Sequence, residues 1–203
     1  RLTLVYPGTG SSYDYWYYTT LRAAEGELCL CLREHYRHTG VLAADAGAEL
    51  VISGPYYLDA LGLEGDGRIS RTERGTISLD PQNTPVHYTF AGVLGENVAL
   101  DIQTRQDFTG VNSVSYANPT VHGNRGKEKA GAYTGIARFG TPGEPSSIGT
   151  NAPILLGETG GGLMYLGSSE RTTKGLYITG KGEKPGSTLS FIDGGPNGGL
   201  DFA

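Results

Sequence analysis

The densest set of side chains able to do chemistry is Arg33-Glu34-His35-Tyr36-Arg37-His38. An extended strand sends alternate residues to opposite faces, so Arg33, His35 and Arg37 share one side while Glu34, Tyr36 and His38 share the other. A histidine between two arginines can act as acid or base, or can hold an anionic group such as a carboxylate. His35 is therefore the candidate catalytic residue, and Arg33 and His35 are candidate ligand contacts. The plain alternative is the exposed end of a strand whose core part lies just upstream. There Leu28, Leu30 and Leu32 alternate with Cys29 and Cys31. The leucines read as a buried face, and the opposite face is thiol-lined, then cationic from Arg33 onward. Cysteine is among the most buried residue types, so this profile fits a pocket with a charged mouth.

A second set is Tyr13-Asp14-Tyr15-Trp16-Tyr17-Tyr18. Aromatic rings with polar tips suit stacking on sugars or flat ligands. On a strand Tyr13, Tyr15 and Tyr17 line one face, and they join Arg33 and His35 as candidate ligand-binding residues. A core face would use the same pattern.

Spacing limits metal chemistry. Cys29 and His35 lie six residues apart, roughly 20 Å along a strand, beyond the reach of one zinc ion. Cys29 and Cys31 are about 6.6 Å apart by the same rise, near the upper limit for a disulfide, and read as two buried thiols. The segment from Gly62 to Glu73 partly matches a calcium loop, with acids at its third, fifth and twelfth positions and glycine at its sixth. Its first position is Gly62 where aspartate is needed, so Gly65-Asp66-Gly67 reads as a hairpin turn. No metal site and no cofactor are expected. Phosphate-loop and Gly-X-Ser-X-Gly patterns are absent. Glu34, Glu73 and Asp101 could serve in a glycosidase pair, but such a pair is defined by its separation in space.

The elements that must position these groups are short β-type runs broken by glycine. At 203 residues with 33 glycines, the chain reads as one soluble β domain, 1–203, with a Gly/Pro/Ser-rich excursion around 141–162. Only the region around 13–25 allows a few turns of helix. Strands are expected over 27–38, 51–57, 68–71 and 76–79, and a closing meander over 163–166, 176–179 and 188–192. The best hairpin pairs 86–94 with 98–103 around Gly95-Glu96-Asn97, with Asn97 left-handed. It would set Tyr88 and Phe90 beside Leu100 and Ile102, and His87 beside Asp101 on the opposite face. No repeat of fixed period is visible. These elements predict an all-β, antiparallel architecture: an up-and-down, calycin-like barrel or a two-sheet sandwich with little helix.

A net charge of −5 without a basic run excludes nucleic acid as the expected partner, and no apolar run approaches a membrane span. The chain starts at Arg1 rather than Met, which points to processing or trimming and favours a secreted or processed precursor. Three functions follow as expectations. The first is a binder of a small apolar or aromatic molecule, or of a sugar, in a Tyr-lined cavity. The second is a small barrel enzyme, of isomerase or cyclase type, using His35 or a tyrosine as acid/base. The third is a self-assembling shell, filament or adhesion subunit; a homo-oligomer is possible, and a large one would favour this third reading.

Overall fold

A computed structural model describes residues 1–5, 16–17, 20–33, 36–79, 86–112, 119–121, 133–150, 154–156, 162–178, 191–193 and 198–203. No helix occurs among them. The chain runs through triplets of short strands: β1 (Leu2–Val5), β2 (Trp16–Tyr17), β3 (Leu21–Ala23); β4 (Glu27–Cys31), β5 (Tyr36–Thr39), β6 (Val41–Ala44). There follow β7 (Glu49–Ser53), β8 (Leu58–Ala60), β9 (Gly62–Gly65); β10 (Arg68–Arg71), β11 (Gly75–Leu79), β12 (His87–Phe90); β13 (Val93–Leu94), β14 (Val98–Ile102), β15 (Arg105–Phe108). The remaining strands are β16 (Pro119–Val121), β17 (Tyr133–Ile136), β18 (Ile154–Leu156), β19 (Gly162–Tyr165), β20 (Glu170–Thr172), β21 (Leu176–Ile178), β22 (Phe191–Asp193) and β23 (Leu200–Phe202).

First members of the triplets stack as sheet I, β1-β4-β7-β10-β13. Second members form sheet II, continued by β16, β18 and β21, and third members form sheet III, continued by β17, β19 and β22. The ladders are parallel, and each strand meets its partner one full turn later in the chain. The molecule is a β-solenoid. This overturns the expected antiparallel barrel or sandwich, because consecutive strands lie in different sheets and do not pair with each other.

The expected hairpin fails for that reason. β12, β13 and β14 belong to sheets III, I and II, and β14 pairs with β11 in parallel register. His87 and Asp101 accordingly lie on different sheets. Phe90, Leu100 and Ile102 are fully buried in one core as expected, whereas Tyr88 turns its ring over Gly62 instead. The left-handed Asn97 is present, at φ 66°, but at a corner. Its Nδ2 donates to Arg71 O at 3.3 Å and its own carbonyl accepts from Gly75 N at 3.1 Å, tying one turn's corner to the next. The supposed meander is likewise three parallel strands, β19, β21 and β22, in two sheets. Gly65-Asp66-Gly67 is the corner between β9 and β10, with Glu64 paired to Arg22 at 3.6 Å, and is not the expected hairpin turn.

Alternation decides what is inside. Leu28, Leu50, Ile69 and Leu94 stack in sheet I, Leu58, Ile77 and Leu100 in sheet II, and Phe90, Phe108, Ile136 and Tyr165 in sheet III. All of these are buried in one apolar cluster. Leu28, Leu30 and Leu32 are buried as the pattern requires. At one corner the backbones of successive turns touch: a Cβ on Gly92 would meet Gly67 O at 2.0 Å, and one on Gly110 would meet Gly92 O at 2.1 Å. Only glycine fits that column, which accounts for part of the high glycine content.

Among the described residues no strand joins sheet I beyond β13. Asn112 forms an isolated antiparallel bridge with Ser146, and residues 137–150 form a loop without a strand. The parallel pair β20–β23 then restores a short sheet.

Candidate functional site

Outward positions of sheet III form two columns. In one, His87, Arg105 and Tyr133 stand opposite one another on β12, β15 and β17, and in the other stand Thr89, Asp107 and Gly135. Neighbouring parallel strands lie about 4.8 Å apart, so side chains from three turns meet on this face. His87 Nε2 lies 2.8 Å from Asp107 Oδ2, and Tyr133 reaches across the intervening strand to place its hydroxyl 3.4 Å from the same nitrogen. The His87 and Tyr133 rings are 5.9 Å apart at 57°.

Gly135 makes this geometry. A Cβ there would sit 2.1 Å from Asp107 Oδ1, so the absence of a side chain lets the carboxylate lie down against the sheet. The Asp107 side chain is 12% exposed and His87's is 50% exposed. Asp107 Oδ1 is buried and has no hydrogen-bond partner among the described residues. With the other carboxylate oxygen accepting at Nε2, the neutral form of the imidazole presents its lone pair at Nδ1. Burial, then the Asp107 charge, pushes the Tyr133 hydroxyl up, against a smaller opposing pull from Arg105. Tyr133 therefore stays a protonated donor at neutral pH.

A glutamine fixes the strand that carries this site. In the ladder β12 is registered with β9 at Phe90 and Gly65, and the backbone N–H and C=O of Leu63 are taken by the Gln106 side chain at 2.9 and 3.1 Å. Gln106 is fully buried and stands in for the missing ladder bonds. An orphaned amide pair there would otherwise cost on the order of 1–3 kcal/mol per group.

A second polar cluster sits where sheet I is interrupted. Glu170 accepts from Phe139 N at 2.9 Å, Gly140 N at 2.6 Å and Tyr165 Oη at 2.8 Å. Burial alone would raise this carboxyl, but those three donors and the Arg138 charge outweigh it and hold the group below its ordinary value. Lys174, 3% exposed, donates from Nζ to Gly149 O at 2.8 Å, and burial pushes it down to about 8 against the pull of Glu170 and Glu144. These groups bind one loop to its neighbours from inside, which is a structural task.

Of the site residues expected from the sequence, Arg33 is exposed in the bend after β4, and Tyr17 lies in β2 at the edge of sheet II. Tyr13, Tyr15 and His35 lie outside the described residues, as does Glu34. Asp101 lies on sheet II, where Tyr57 Oη donates to it at 3.3 Å and Gln103 Nε2 at 3.1 Å, and Glu73 lies at a corner of sheet I. Sequence reasoning left His87, Asp107 and Tyr133 unassigned. Their meeting depends on parallel register, and only that register could have revealed it. Comparison with protein families, characterised proteins and solved structures returned no match.

Proposed function

We propose that the outer face of sheet III binds an extended, hydroxyl-bearing ligand, best a sugar chain carrying carboxylates, across His87, Thr89, Arg105 and Tyr133. The observation that carries this is the imidazole of His87, oriented by Asp107 at 2.8 Å and half exposed beside the Tyr133 hydroxyl. Its Nδ1 accepts from a ligand hydroxyl, Tyr133 offers a ring face and a donor, and Arg105 supplies positive charge for a carboxylate. A stack of rungs repeats side chains along one direction, which suits a chain ligand better than a compact one. Among the expectations from sequence this keeps the sugar binder, with an open face in place of a Tyr-lined cavity.

The test is titration of the full chain with neutral and uronate-containing oligosaccharides by calorimetry. Uronate binding that falls at least tenfold in His87→Ala and Arg105→Ala supports the reading. No binding, or binding indifferent to both changes, overturns it. A second reading, acid–base catalysis, is favoured by the pairing of a lone-pair Nδ1 with a protonated Tyr133 hydroxyl: one group takes a proton and the other gives one. Product formation from a bound oligosaccharide, abolished in His87→Ala, would establish it.

A further inference from the structure

We infer that Cys29 and Cys31 form a dithiol site on the outer face of sheet I for a soft, thiolate-seeking metal or metalloid ion held in bent, two-sulfur coordination. The two sulfurs lie 3.6 Å apart. They point away from the core, whose share of β4 is taken by Leu28 and Leu30. Cys29 is flanked in register by Thr3 and Val51, and Cys31 stands opposite Ser53. Cys29 is buried while Cys31 is partly exposed, so a small ion has a way in past the second sulfur.

Distance separates the chemistries open to such a pair. A disulfide needs the sulfurs at about 2.05 Å, with a preferred Cα separation of about 5.5–6 Å. An extended strand sets Cα atoms two residues apart at roughly 6.6 Å. β4 is paired along its length with β1 and β7, so it has no slack to shorten. An ion bridging 3.6 Å with sulfur bonds of about 2.3 Å subtends an angle of about 100°. That angle suits pyramidal or tetrahedral centres and excludes a linear two-coordinate one. The remaining positions stay open to outside ligands, since no third His, Cys, Asp or Glu joins the pair among the described residues.

Burial, together with the hydrogen bond and charge of Cys31, holds the Cys29 thiol above its ordinary value, and the Arg1 guanidinium offsets this only in part. Thiol protons are displaced by the ion in any case.

The probe is phenylarsine oxide, whose arsenic stays trivalent. Two As–S bonds form, and the two thiol protons leave with the oxide oxygen as water. Native mass spectrometry of the full chain at equimolar reagent should show one adduct that survives excess monothiol and is removed by a dithiol. Cys31→Ser, at the more exposed position, and Cys29→Ser should each lower adduct formation at least a hundredfold with unchanged circular dichroism. Absence of the adduct in the parent chain, or an equally stable adduct in the folded Cys31→Ser variant, would overturn the proposal. So would quantitative loss of two hydrogens with diamide, because that would show β4 letting the sulfurs close to bonding distance and assign the pair to redox chemistry.

Discussion

Two stretches of the same coil are held by different physics. From β1 to β15 each turn places apolar side chains on those of the turn before, as in Leu28, Leu50, Ile69 and Leu94. Where sheet I breaks, the loop over 137–150 still buries Phe139 and Ile148 in the same apolar core, and directed polar bonds from Asn112, Glu170, Thr172 and Lys174 are added to hold it. Apolar stacking is indifferent to pH and graded with side-chain volume. A polar clamp is specific and titratable, and losing one member strands its partners.

The largest expected effect tests the stacked region. Phe90 is fully buried, so Phe90→Ala should cost about 3–5 kcal/mol in denaturant unfolding, with no dependence on pH between 5 and 9. A loss below about 1 kcal/mol would mean that the stack relaxes into the space and does not behave as a close-packed core.

Glu170→Ala should come next, at about 2–4 kcal/mol near neutral pH, because Phe139 N, Gly140 N and Tyr165 Oη all lose their acceptor. Its folded carboxyl lies below the ordinary 4.5, so its contribution is present above that value and is lost as pH falls below it. Parent and variant stabilities should therefore converge in acid. Parallel curves down to pH 2 would remove Glu170 from the clamp.

Lys174 supplies the opposite limb. Its folded value of about 8 lies below the ordinary 10.5, so the unfolded chain binds more protons between those values and stability rises with pH across that window. The gain should reach about 2–3 kcal/mol by pH 10.5 and be missing from Lys174→Met. Identical slopes in the two proteins would show that the ammonium is solvated. The smallest effect belongs to a corner: Asn97→Ala, which keeps a Cβ at positive φ and drops the bond to Arg71 O, should cost about 1–2 kcal/mol, and Asn97→Gly less.

The sequence makes the local side of this fold legible. Leucine alternation in β4, the left-handed Asn97 and the exact run of β10 over Arg68–Arg71 all follow from patterns a few residues long. Partnership does not. Clean apolar–polar alternation ordinarily marks an antiparallel sheet with one wet face. A solenoid also wets one face of a parallel sheet, so the same pattern pointed to the wrong pairing. The turns differ in length as well: the stacked Leu2, Leu28, Leu50, Ile69 and Leu94 are separated by 26, 22, 19 and 25 positions, which hides the repeat. The candidate site was hidden for the same reason. His87 finds Asp107 20 positions away and Tyr133 46 away, through registers no local signal encodes.

The break in sheet I also has a mechanical side. Among the described residues sheets II and III run through eight strands each, while sheet I has five and β20–β23 form a separate pair. A rod ribbed continuously on two sides and seamed on the third has a preferred bending direction, with its compliance gathered at the seam. Spin labels at Glu49 and Arg171, on either side of the seam, should give a broader distance distribution than labels at Glu64 and Met164 on the unbroken face. Load along the chain would then be carried by the two continuous faces, one of which bears His87 and Tyr133, so the proposed binding face would lie on the stiffer side of the rod.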